Sequence, residues 1–246
     1  MDIYLVRHGE SMGNVDKTFH FDTADHAIPL SPKGNMQARA AGDFLAEEFV
    51  VTGGFIPKRR IWCSPYVRTR ETAANIMKGI GLDWSNQTLP TASHSPDIPD
   101  LSWKQSGFSY REHVALCEQQ FGLFDGIEDE DLPVVLPKEA AHYNRCVEQE
   151  GKFWARMPMG ESRFDVANRV NQTFGTFHRD KDKHEIQDII VVCHGVTLRA
   201  FMMQWLHLTP EWFDEESNPG NCWIRKIGRN SAGQYEDQGY IFKPEV

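Results

Sequence analysis

Short apolar runs alternate along this chain with longer stretches of helical periodicity, and few folds satisfy that alternation. Residues 2–6 (DIYLV) and 188–193 (DIIVVC) are rich in the β-branched and apolar side chains of a buried strand. Between them, PLSPKGNMQARAAGDFLAEEF offers Ser31 as N-cap and Pro32 at the first helical position, with Met36, Ala40, Phe44 and Phe49 along one face. A strand RIWC follows, then SPYVRTRETAANIMKGIG, which Ser64 and Pro65 open and Gly79 or Gly81 closes. VALCEQQFG reads as a third strand ending near Cys117. GESRFDVANRVNQTFGTFH carries Phe164, Ala167, Val170, Phe174 and Phe177 at helical spacing. VTLRAFMMQWLHL forms the next helix, and CWIRKI and GYIF read as weaker edge strands. Strands alternating with amphipathic helices predict a three-layer α/β fold with a mainly parallel central sheet flanked by helices.

At 246 residues, with 40% hydrophobic and 25% charged residues, the chain is read as one domain over 1–246. Residues 83–113, rich in Pro, Ser and Asp and including Trp103, Phe108 and Tyr110, read as an insertion over the active site. Residues 126–137 read as a second, acidic excursion. A formal charge of −9 without any basic run argues against a nucleic-acid partner, so an anionic ligand must meet a local positive pocket. The cysteines at 63, 117, 146, 193 and 222 are odd in number and lack a C-x-x-C, which suggests neither disulfides nor a zinc site. With no leader-like start and no apolar run of spanning length, the expectation is a cytoplasmic protein with no membrane association. The sequons at Asn86 and Asn171 then carry no weight.

In sheets of this kind ligands bind beyond the carboxyl ends of the strands. His8 follows the first strand, Arg68 lies in the first turns after the second, Glu118 follows the third and His194 follows DIIVVC. Two histidines, two arginines (Arg7 and Arg68) and a carboxylate suit phosphoryl transfer: one imidazole attacks phosphorus while the guanidinium forks and second imidazole hold its oxygens. The positive groups stand in for a metal, and neither metal nor organic cofactor is expected. Gly9 would let the backbone approach the anion, and Ser11, Asn14 and Gly195 are the candidate substrate-binding positions. Attack requires a neutral His8, so its other nitrogen should donate to a backbone carbonyl. Glu118 would act as acid and then as base, with Glu112, Asp125 and Glu128 as competing carboxylates. Arg70, two residues beyond Arg68, falls on another helix face and is read as an ion-pair partner. The histidines at 20, 26, 94, 113, 142, 178, 184 and 207 show no metal-ligand spacing and are read as solvent or packing residues.

LVRHGES with Asn14, PLSPKGNMQA, SPYVRTRETA, LCEQQFG, MPMGES with DVANRV, and CHGVTLR resemble blocks of the histidine phosphatase superfamily, in the branch related to cofactor-dependent phosphoglycerate mutases. They spread from residue 5 to residue 199. The resemblance implies that His8 is the phosphorylated nucleophile, Arg7 and Arg68 phosphate ligands, Glu118 the proton donor and His194 the second histidine. LCEQQFGLF and GKFWARMPMGES are most similar to broad-range acid phosphatases of that branch. The activity implied is hydrolysis of small-molecule phosphomonoesters through a phosphohistidine. A phosphoglycerate mutase-type phosphotransferase is the alternative, and a non-catalytic phosphate-recognising protein the third reading. Mutases of the family carry a lysine and an Arg-Arg pair after the glutamate; here LFDGIEDEDLPVVLPKEAAHYNRC is acidic and has no basic pair. Arg145, Lys152, Arg156 and the insertion are the candidates for selecting a substrate.

Overall fold

The computed structural model describes residues 1–50, 57–82 and 107–245. Among these, β1 (Asp2–Arg7), β2 (Lys58–Cys63), β3 (Phe108–Glu112), β4 (Ile186–Cys193), β5 (Ile224–Arg229) and β6 (Tyr235–Phe242) form one sheet in the order β3-β2-β4-β1-β5-β6. The first four strands are mutually parallel, and β5 and β6 extend the sheet in antiparallel fashion. Helices α1 (Met12–Val15) and α2 (Phe19–Asp22) are single turns after β1; α3 (Pro32–Glu48) and α4 (Val67–Gly79) flank β2 in sequence. Further along come α5 (Leu132–Val135), α6 (Pro137–Glu150), α7 (Arg163–His184), α8 (Gly195–Leu206) and α9 (Pro210–Glu215).

The apolar character of β1 and β4 follows from their place at the centre, where helices cover both faces. Ile3, Leu5, Ile189 and Val191 pack with Val166, Val170 and Phe177 of α7 and with Leu198 and Phe201 of α8. The alternate residues Tyr4, Val6, Ile190 and Val192 pack with Ala38, Ala41 and Leu45 of α3 and with Ala73, Ile76 and Met77 of α4. The three-layer, mainly parallel architecture expected from the alternation is therefore present.

Several local expectations are overturned. VALCEQQFG is not a strand: Val114–Leu116 is one 3-10 turn, and the strand that flanks β2 on the side away from β4 is Phe108–Glu112. Phe108 and Tyr110 alternate with Ser109 as a short edge strand requires, so the end of the supposed insertion is core structure. Residues 83–106 lie outside those described. The buried face of α3 is Gly34, Gln37, Ala38, Ala41, Gly42 and Leu45; of the expected face, Phe49 is buried at the helix end and Phe44 packs against the core, while Met36 is 56% exposed. The reason is close packing of α3 on α4, since a Cβ on Gly42 would come within 2.3 Å of the Ile76 carbonyl oxygen. Small residues make that contact, and large apolar ones lie beside it. Helix α4 starts at Val67 with Tyr66 as its N-cap, and Ser64 Oγ accepts from Tyr66 N at 3.4 Å. CWIRKI forms the internal strand β5, and only GYIF, in β6, lies at the edge. Helix α6, largely polar and exposed, was not foreseen.

Candidate active site

Parallel pairing sets Arg7 of β1 opposite Cys193 of β4, so the next residue of each strand, His8 and His194, leaves the sheet beside the other. The His8 N–H donates to the Cys193 carbonyl at 2.9 Å, and the two rings meet edge to face with centroids 5.2 Å apart. Both are buried, His8 4% and His194 0% exposed. His8 Nδ1 lies 2.8 Å from the Gly9 carbonyl oxygen, which can only accept; that nitrogen carries the hydrogen and Nε2 keeps its lone pair. Burial, reinforced by the charges of Arg68 and Arg7, holds the His8 pKa well below the usual histidine range, against a smaller upward pull from Gly9. Burial, then Arg68 and His8, do the same to His194. Ser64 Oγ sits 2.9 Å from His194 Nε2, and His194 Nδ1 is buried without a hydrogen-bond partner.

Both arginines reach this pair. Arg7 donates through Nη1 to the Pro219 carbonyl at 2.5 Å and keeps a buried, unpartnered Nε. Burial lowers its pKa, with Glu118 acting in the opposite direction. Arg68 enters from the first turn of α4; its Nη1 donates to the Asp25 carbonyl at 2.5 Å and lies 2.9 Å from Asp25 Oδ1, over the Tyr66 ring. Arg70 instead grips Glu112 with two hydrogen bonds, as its helix face implied.

Glu118 joins them from the loop after β3. Its carboxylate accepts from Gln119 N at 2.9 Å, and from Val196 N and Thr197 Oγ1 at 3.4 Å, at the start of the helix that follows His194. Arg169 on α7, which residue-level reading did not single out, fastens that loop. Its guanidinium donates to the carbonyls of Ala115, Cys117 and Glu118 at 2.8–2.9 Å and is held by Glu161 Oε1 at 2.9 Å. Arg169 and Glu161 lie in the blocks DVANRV and MPMGES, the one sequence feature that could have found them.

The family model for the histidine phosphatase superfamily, branch 1, matches residues 3–88 and 101–237. The chain belongs to this superfamily. It is 32% identical over 244 residues to the phosphoglycerate mutase-like protein AT74H of Arabidopsis thaliana, covering 95% of this chain and 75% of that protein. It is 24% identical to the broad-range acid phosphatase DET1 of Saccharomyces cerevisiae, covering 89% of this chain and 82% of that one. Among solved structures, a mycobacterial glucosyl-3-phosphoglycerate phosphatase bound to VO3 superposes with TM-score 0.64 at 18% identity, over 97% of this chain and 98% of that one, and is similar in fold.

In this histidine phosphatase superfamily member the turn after His8 is closed on itself. Ser11 Oγ accepts from Asn14 N at 3.2 Å, and Asn14 Oδ1 accepts from Ser11 N at 3.1 Å, a reciprocal cap that shapes the turn. Gly9 N donates to Thr72 Oγ1, and a Cβ on Gly9 would lie 2.5 Å from the Gly34 carbonyl oxygen. The close approach that requires glycine here is thus that of α3, not of an anion. At Gly195 a Cβ would lie 2.9 Å from Asn218 Oδ1 and 3.8 Å from Arg7 Nε, so the lack of a side chain keeps room beside the arginine.

Beside Arg68 opens a cleft of about 190 Å³, lined among the described residues by Asp25, His26, Tyr66, Gln119, Gln120, Phe121, Gly122 and Asp125. Of the carboxylates that competed with Glu118, Glu112 is tied to Arg70 and Glu128 faces Lys17 at 3.4 Å, whereas Asp125 lines the cleft. Arg145, Lys152 and Arg156 are not among the lining residues, and Arg156 pairs with Asp165. His26, read from the sequence as solvent or packing, is a cleft residue. It sits in a 3-10 turn, Asp25–Ala27, within a polar loop that carries no periodic pattern.

Proposed function

We propose that the protein hydrolyses small-molecule phosphomonoesters through a phosphohistidine on His8. The observation that carries this reading is the buried, neutral His8 with Nδ1–H committed to Gly9, its Nε2 lone pair free, and His194, Arg7 and Arg68 around it. Nε2 attacks phosphorus as the bond to the ester oxygen breaks, and Glu118 gives that oxygen its proton. Arg7, Arg68 and His194 hold the phosphoryl oxygens as charge develops. Water then attacks the phosphohistidine, the Glu118 carboxylate takes its proton, and cleavage of the P–N bond returns neutral His8 and releases inorganic phosphate. Incubation with ³²P-labelled substrate and a rapid quench should trap label that is labile in acid and stable in alkali. His8→Ala should carry none; acid-labile label on His8→Ala would overturn the assignment.

A mutase must retain its intermediate by gripping a non-reacting carboxylate or phosphate. The cleft places Asp25 and Asp125 beside Arg68 and is lined by no lysine or arginine among the described residues, which favours hydrolysis over mutase action.

A further inference from the structure

The cleft beside Arg68 is where the alcohol portion of a phosphomonoester would extend once its phosphate sits among Arg7, Arg68 and His194. Its polar lining consists of two carboxylates, two amides, a phenol and an imidazole. We propose, building on the phosphatase reading, that Asp25 and Asp125 make this cleft select phosphorylated amino alcohols, whose leaving group carries an ammonium, over esters whose leaving group carries a second anion.

Two observations bear on this beyond the presence of acidic residues. Asp25 already faces a cation: with no ligand bound its carboxylate and carbonyl occupy Arg68. A phosphoryl group arriving at Arg68 takes over those guanidinium donors and leaves the Asp25 carboxylate short of a partner at the mouth of the cleft. Asp125 accepts from the Gly126 backbone and has His20 Nδ1 at 3.7 Å, beyond hydrogen-bond range. Burial and the repulsion of Asp25 raise the Asp125 pKa, against a downward pull from His20 and Arg68. An ammonium entering with the substrate would relieve that repulsion, and a carboxylate or second phosphate would add to it. Gln119 donates its side-chain amide to the Glu161 carbonyl, and its amide oxygen is an acceptor.

A matched two-carbon series isolates the charge: phosphoethanolamine, 2-hydroxyethyl phosphate and phosphoglycolate, assayed by phosphate release with p-nitrophenyl phosphate alongside. The expected order of kcat/KM is ammonium above hydroxyl above carboxylate, with an end-to-end ratio on the order of 100. Asp125→Asn should compress that ratio about tenfold, and Asp125→Glu, which keeps the charge, should retain it. If p-nitrophenyl phosphate is hydrolysed but the wild-type ratio is near one or inverted, the selectivity proposal falls and the phosphatase reading stands. If none of the four is hydrolysed, both fall.

Discussion

With Nδ1–H of His8 engaged by Gly9, burial and the charges of Arg68 and Arg7 displace protonation of the proposed nucleophile to unusually low pH. The acidic limb of kcat/KM should therefore lie below the ordinary histidine range. Glu118→Gln should slow an alkyl phosphate by about 10²–10³-fold but p-nitrophenyl phosphate by less than about tenfold, because the aryl oxide leaves without a proton. Equal losses on both would assign Glu118 a structural role. The same two histidines affect stability. Their folded pKa values lie below those of the unfolded chain, so as pH falls through about 6.5 the unfolded state gains protons that the native state refuses. Each should cost up to about 1.4 kcal/mol per pH unit, and Tm should drop between pH 7 and 5 more steeply in the wild type than in His8→Asn.

Helix α3 and the loop after β3 show how elements, rather than single side chains, hold the site. Ser31 Oγ caps α3 by accepting from Gly34 N and donates to Glu10 Oε1, so Ser31→Ala should cost about 1 kcal/mol. Gly34→Ala should cost about 3 kcal/mol, measured by denaturant unfolding, since its Cβ would come within 2.0 Å of the Glu10 carbonyl oxygen. Arg169 is a positioning residue acting through Glu118. Arg169→Leu should reproduce the leaving-group dependence of Glu118→Gln, with loss on alkyl esters and little on p-nitrophenyl phosphate. Arg169→Lys should not restore it, because a point charge cannot serve three carbonyls and a carboxylate at once. These elements differ in how openly the sequence announces them. Strands β1 and β4 each carry an apolar run, residues 3–6 and 189–193, so the points where they release His8 and His194 can be read directly. Strand β3 is five residues long, and the α3–α4 contact is built from glycine and alanine, which hydrophobic periodicity passes over. Arg169 works on backbone carbonyls of a distant loop, and such partners leave no trace in residue type.

Across the whole molecule, a net charge of −9 surrounds a small cationic focus at Arg7 and Arg68, and the neighbouring cleft returns to negative charge. Supplied with 3-phosphoglycerate and catalytic 2,3-bisphosphoglycerate, the protein should release free phosphate faster than it forms 2-phosphoglycerate. Interconversion exceeding phosphate release by orders of magnitude would assign it to the mutases instead. The candidate groups are gathered by chain topology: His8, Arg68, Glu118 and His194 come from four separate segments, and strand order makes His8, Arg68 and His194 legible, whereas Glu118 follows a 3-10 turn in place of the expected strand and the walls of the cleft are drawn from irregular loops. The pairing of Arg7 with Cys193 has a consequence for how such a protein can vary. The 5.2 Å between the two imidazoles rests on that side-by-side exit from adjacent strands, with the rings then oriented by Gly9 and Ser64. Loops can lengthen or shorten without disturbing it. Loss of a single residue within β4, however, would leave the Cys-His-Gly sequence intact while turning His194 toward the opposite helical layer, away from the nucleophile.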